Sequence, residues 1–234
     1  SGQATTVMFS LDLSPIHEDI TVTTSASGKK TTTFETFNAT DTIDSFDLAI
    51  NPTGTVATVL DDLPGVATGG FGPGSTRPII RGFDGDRVLV MEDGIGTGDL
   101  SSSSADHGIG IDPNGLERLE IVRGPATLLY GSNAIGGVVN AITPGEALRD
   151  SAISGTRGQV SLDGGSANAQ AGTFANVVHG NSSLHFWVGG GARRTSDYDS
   201  PESTIANSGT KLSSGRVGFG YAGDKLFLSG NFTF

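Results

Sequence analysis

Asp99, Asp106 and His107 share one polar stretch, with Ser101 to Ser104 between the first two. Carboxylate and imidazole together are a donor set that suits zinc or another divalent ion. A closed zinc site usually takes about four ligands, so this is a partial set. The alternative is a solvated loop that holds an incidental histidine. His179 and His185 fall on strand-like segments and could point into a shared interior, whereas His17 lies near a separate N-terminal segment and is set aside as a ligand. Two arginines carry a different chemistry. Arg81 and Arg123 each end a strand-like segment and precede a glycine. A buried guanidinium without a carboxylate partner is costly, so each is either paired with an acid or an ordinary surface arginine.

Other motifs are weaker. Asp61-Asp62, Asp84-Gly85-Asp86 and Asp93-Gly94 lack the spacing of a calcium-binding loop and fit turn chemistry. The run Gly69 to Gly74 is followed by no Gly-Lys-Ser/Thr and is not a phosphate loop. There is no Gly-x-Ser-x-Gly elbow, no His-Glu-x-x-His and no cysteine nucleophile, so the chain reads as a non-enzyme. A formal net charge of −11 argues against nucleic acid and tolerates a cationic ligand. Without cysteine there is no disulfide framework and no thiolate metal site. No run reaches the ~18 apolar residues of a transmembrane helix. No signal peptide is visible, so Ser1 is not expected to begin the primary translation product. A membrane role would therefore need closed β structure, which also satisfies every backbone polar group.

The elements that must position these residues fall into three zones. Glycine, at 36 residues, together with abundant Ser, Thr, Asn and Asp, favours turns and short strands. Residues 1–33 open with the alternation Val7, Phe9, Leu11, Leu13, which predicts one strand ended by Pro15. The β-prone stretch Asp19, Ile20, Thr21, Val22, Thr23, Thr24 follows, and then a small-residue linker. Residues 34–147 read as mixed α/β. A short helix is expected over 53–62, with Val56, Val59, Leu60 and Leu63 on one side, and a Gly/Pro-rich loop over 69–78. Strands are expected at 79–81, 87–91 and 137–143, with turns at Asp84-Gly85-Asp86 and Asp93-Gly94, loop over 96–110, and a helix start merging into a strand over 116–123. Pro125 to Tyr130 could open a helix. Residues 155–234 change to a period of two, with Leu184, Phe186 and Val188 alternating with His185, Trp187 and Gly189, then Val217, Phe219 and Tyr221 with Arg216, Gly218 and Gly220. Short turns at Asn181-Ser182-Ser183 and Ala222-Gly223-Asp224 contrast with a long polar loop over 195–208. That arrangement fits strands of an outer-membrane barrel, and a soluble β-sandwich or meander shares it.

Four ordered blocks decide between these. Leu63-Pro64-Gly65-Val66, Ile80-Arg81-Gly82-Phe83, Arg87-Val88-Leu89-Val90-Met91-Glu92-Asp93-Gly94 and the continuous stretch from Leu116 to Thr143 closely resemble the plug of TonB-dependent outer-membrane receptors. The resemblance covers about residues 54–143 and implies an α+β plug domain, a small mixed sheet with short helices, followed by antiparallel transmembrane β-barrel strands. In that family the arginines matching Arg81 and Arg123 pair with glutamates of the barrel wall, which implies partners in later barrel strands, since none is recognisable in this stretch. The segment Asp19 to Thr24 resembles the TonB box, where a TonB-like periplasmic energy-coupling protein adds a strand; a plain linker strand is the alternative. Val7 to Leu13 resembles the tail of a small N-terminal β-sandwich extension of some members. Ala105-Asp106-His107 resembles a loop of zinc-importing members, which implies Asp99, Asp106 and His107 as substrate-loop residues, with Asp106 and His107 as the metal ligands.

The expected function is active import of a metal ion, metal chelate or siderophore, with outer-membrane lipid as a partner and no resident cofactor required. A structural or adhesive outer-membrane component is the alternative. Five strand candidates cannot close a barrel of about 22 strands, so either this is a fragment or other chains complete the wall.

Overall fold

In the computed structural model the described residues are 21–22, 31–32, 39–50, 54–125, 130–147, 154–223 and 225–234. Two short pieces come first: β1 (Thr21–Val22) pairs antiparallel with β2 (Thr31–Thr32).

The plug is built on a five-stranded sheet of order β3-β8-β9-β6-β7. Its members are β3 (Ala39–Asp44), β6 (Val88–Glu92), β7 (Ile95–Gly96), β8 (Arg118–Arg123) and β9 (Gly137–Ile142). β9 runs parallel to β6 and antiparallel to β8. Every residue of β9 is buried, as are the four central residues of β8. Covered on both faces, these strands lack apolar/polar alternation. That explains why Leu116 to Arg123 read as a helix start from sequence. It is instead a single helical turn, Pro113–Gly115, feeding directly into β8.

On one side of the sheet lie α1 (Ser45–Ile50), α2 (Val56–Leu60) and the hairpin of β4 (Val66–Gly70) with β5 (Thr76–Ile80). Asp44 accepts from the amides of Phe46 and Asp47 at the start of α1, and Thr55 from the amide of Thr58 at the start of α2. Val56 and Leu60 are fully buried with Ile80, Leu119 and Ile121 in the main core, and Val59 and Leu63 pack against it. The expected helix over 53–62 is therefore present at half the length. The expected loop over 69–78 is a hairpin. A two-stranded ribbon leaves each strand an unpaired edge, where the missing N–H of Pro78 is tolerated.

Gly137 is forced by a close approach. A Cβ there would lie 2.5 Å from the Val122 carbonyl oxygen and 3.1 Å from Ile80. Gly137→Val should destabilise the plug by about 3 kcal/mol, read as a lowered denaturant midpoint for the plug. An unchanged midpoint would contradict this packing.

Residues beyond the plug form an antiparallel meander: β10 (Gly155–Gly165), β11 (Gln170–Gly180), β12 (Leu184–Arg194), β13 (Lys211–Ala222) and β14 (Phe227–Thr233). β10 and β14 are its two edges. α3 (Pro144–Ala147) lies against β13 and β14. Alternation holds along each strand. Leu184, Phe186 and Val188 face outward opposite Tyr221, Phe219 and Val217, and all six are exposed. Phe174, Val178, His185, Trp187, Arg193 and Arg216 face the plug and are buried. The turns at 181–183 and 223–226 lie at the end where β10 starts; the loop over 195–210 lies at the other. No helix among the described residues is long and apolar enough to cross a membrane, which says nothing about crossing with strands.

Candidate functional site

The seam between plug and wall is where distant segments meet through charge. The turn Pro113–Gly115 is capped by Asp112, which accepts from the backbone and side-chain nitrogens of Asn114 at 3.0 and 2.7 Å. The second Asp112 oxygen accepts from the Ser214 hydroxyl of β13. Three residues on, the Gly115 carbonyl accepts from Arg216 Nη1 at 2.6 Å. A Cβ on Gly115 would lie 3.1 Å from that nitrogen and 3.2 Å from Phe174, so any side chain there would push the two wall residues back from the turn by a few tenths of an ångström. Arg216 Nη2 reaches Glu92 Oε1 at 3.4 Å, and Asn231 Nδ2 reaches the same oxygen at 3.3 Å. Nearer the short-turn end, Arg157 donates to Glu117 at 2.7 Å, and Trp187 packs against Gly145 of α3.

Burial pushes the Glu92 carboxyl above its usual range, against the pull of Arg216 and with help from neighbouring Asp93. Asp93 is raised too, by burial, although it accepts from the amide and hydroxyl of Thr143 at 2.8 and 2.6 Å. These are partly desolvated charges whose cost Arg216 offsets.

The ion pairs across the seam therefore have arginine on the wall and glutamate on the plug, the reverse of the polarity expected for Arg81 and Arg123. Arg123 is engaged inside the plug, by Asp41 of β3 and the Pro64 carbonyl. Its partner among the described residues is a plug aspartate, because β3 pairs with β8 and brings Asp41 alongside; the five wall strands described do not include the later strands in which its glutamate partner is expected. Arg81 is exposed, with a positive φ of 51° and its guanidinium over Gly124. No ion pair involves it among the described residues.

The polar loop behaves as loop. Asp99 accepts from the amide of Ser101 at 3.0 Å and caps a single turn. Asp106 accepts from the Ser104 hydroxyl and from His107 Nδ1, the latter at 2.9 Å. The Ser104 hydrogen bond first, and His107 second, hold the exposed Asp106 carboxyl below its usual range. No group of three or more potential metal ligands converges among the described residues. His179 does not face the interior. It lies on the outward row, its Nδ1 2.7 Å from Thr156 Oγ1. His185 does face inward and is fully buried, at the short-turn end away from the loop. The β4–β5 tip sits at the long-loop end, since a Cβ on Gly74 would lie 3.3 Å from Thr210 and one on Gly108 would lie 2.7 Å from the Gly74 carbonyl oxygen.

Of the segment read as a coupling strand, Thr21 and Val22 are paired in β1; Asp19, Ile20, Thr23 and Thr24 lie outside the described residues, as do Val7 to Leu13. Sequence reading missed Glu92, Asp112, Gly115 and Glu117 on the plug and Arg157, Ser214 and Arg216 on the wall. One signal was present: Arg157 and Arg216 are charges at the non-apolar parity of alternating strands, the parity that must face an interior.

A family model described as the TonB-dependent Receptor Plug Domain matches residues 32–138. The chain is 43% identical over 100 residues to "Vitamin B12 transporter BtuB" of Photobacterium profundum, covering 41% of this chain and 16% of that protein. It is 34% identical over 128 residues to "Hemin receptor" of Yersinia pestis, covering 53% of this chain and 18% of that protein. Among solved structures, the pyoverdine outer membrane receptor FpvA from Pseudomonas aeruginosa PAO1 shares its fold, with a TM-score of 0.69 at 16% identity over 91% of this chain and 30% of that one. The chain thus spans less than a third of the length of each.

Proposed function

Because the chain belongs to the TonB-dependent receptors and carries their plug domain with the antiparallel barrel strands that follow it, we propose that the full-length protein actively imports a scarce nutrient across the bacterial outer membrane. One observation carries the reading. A glycine-rich plug docks through ion pairs on one face of a sheet whose other face exposes a continuous apolar band. A band holding Phe186, Val188, Val217 and Phe219 together is too large for a water-facing surface, and lipid covers it. The buried face is polar enough to be parted again, which a permanent core would not be.

Substrate arrives at the long-loop end, against the β4–β5 tip and the loop holding Asp99, Asp106 and His107. Binding makes the segment Asp19 to Thr24 available on the periplasmic side. There a TonB-like partner adds a strand, and the pull it transmits remodels the plug. No covalent step is needed.

The relatives named for vitamin B12 and hemin, and the structure bound to pyoverdine, support a metal chelate or siderophore as cargo. Free zinc held by Asp106 and His107 is the narrower alternative. Cells making the full-length protein should accumulate one of labelled vitamin B12, hemin, a ferric siderophore or zinc, and stop when the protonmotive force is collapsed. Accumulation that persists without that force, or none from a correctly inserted protein, overturns active import. Zinc affinity unchanged by Asp106→Ala with His107→Ala removes the zinc role.

A further inference from the structure

Among the described residues, the outward face of β10–β14 carries two formal charges, histidine counted neutral, and both are positive: Arg194 and Lys211. They are direct register partners on β12 and β13, at the end bearing the long loop. Both are exposed, and neither is in ion-pair contact with any described carboxylate. Two carboxylates nearby in sequence are committed elsewhere. Asp163 faces inward, bound by Arg193 at 3.1 Å. Asp197 accepts from the amides of Gly209 and Asn207 at 2.7 and 3.2 Å. Like charges directly opposite on a sheet destabilise it. In a chain of net charge −11, such a pair at one spot is hard to explain as packing.

The surroundings show what would relieve the repulsion. Ala171, Ala192 and Ser213 are the outward neighbours, and with the two basic residues, Leu212 and Arg193 (the last bound to Asp163) they line an open hollow of about 380 Å³. Further along the same rows stand the bulky apolar side chains, beginning at Val188 and Val217. An occupant must therefore present an anion at one end and hydrocarbon at the other.

We propose that Arg194 and Lys211 bind the phosphate of a phosphorylated membrane lipid whose acyl chains lie along the apolar band. This rests on the membrane-spanning reading above. Free phosphate would satisfy the charges and leave the band uncovered, so the lipid is the occupant.

The test uses the full-length protein in detergent, with diphosphorylated lipid A as the probe and bound lipid counted by native mass spectrometry. Each basic residue near an anionic lipid surface contributes about fivefold in affinity, so Arg194→Ala with Lys211→Ala should weaken binding about thirtyfold. The same lipid stripped of its phosphates should bind the unmodified protein as weakly as the double variant binds the intact lipid. Lys225→Ala, at the opposite end of the wall, should change nothing. Wild-type-level binding by the double variant overturns the site. Inorganic phosphate competing as well as the lipid overturns the lipid as occupant. Failure of the unmodified protein to enter vesicles at all would strike the membrane reading instead, a separable outcome.

Discussion

Ile20→Pro in the full-length protein should reduce energised uptake to background while leaving substrate affinity unchanged. The argument is backbone chemistry. A segment captured by strand addition is held mainly by its own N–H and C=O groups, and proline removes one donor and fixes φ. Thr21 and Val22, immediately downstream, already take extended conformation and pair with Thr31 and Thr32. These two residues are therefore already in the conformation that strand addition requires. Two controls isolate the cause. Ile20→Val keeps the donor and the β propensity and should import normally. On the proposed reading substrate binds at the long-loop end of the plug, so its affinity should be the same in all three proteins. Uptake by Ile20→Pro at the normal rate would leave Asp19 to Thr24 as a plain linker.

The parts of the fold readable from sequence are those whose physics is local. β12 and β13 announce themselves because one face is exposed and the other packs on the plug, so Leu184, Phe186 and Val188, and Val217, Phe219 and Tyr221, recur with a period of two. α2 is legible from Val56, Val59 and Leu60 on one side, after the cap at Thr55. β3 is not, because Ala-Thr-Asp-Thr-Ile-Asp has no apolar alternation, and its strand conformation comes from the ladder offered by β8. β8 and β9 carry uniform burial and hence no period, so their place was read by resemblance and not by pattern. The seam was out of reach for a different reason. Glu92 and Arg216 are 124 residues apart, and neither is marked by its neighbours as the other's partner. Arg123 shows the same limit in reverse: its need for a carboxylate was readable, but the choice of Asp41 was made by strand pairing.

That seam makes the second large effect predictable. Arg216→Met should weaken seating of the plug by about 3 kcal/mol, because breaking a buried pair strands the remaining charge. Arg216 is only 7% exposed, donates to the Gly115 carbonyl, and faces a Glu92 that burial already disfavours as an anion. Arg157→Met is the contrast. Arg157 is 48% exposed at its side chain, so losing its pair with Glu117 should cost at most about 1 kcal/mol. The two losses should also differ in pH dependence. Glu92 in the folded protein holds its proton more tightly than the ordinary value of 4.5. The cost of burying its charge is thus fully present above the raised folded pKa and disappears as pH falls towards 4.5. Removing Arg216 takes away the attraction that lowers this pKa, which widens the window. The Arg216→Met deficit should be greatest at neutral pH and shrink on acidification, measured as the urea midpoint for plug release in the full-length protein. A deficit that is constant with pH would mean that Arg216 holds the plug through the Gly115 carbonyl alone. A deficit no larger than that of Arg157→Met would mean that the wall grips the plug by packing of Phe174 and Trp187, with charge as a bystander.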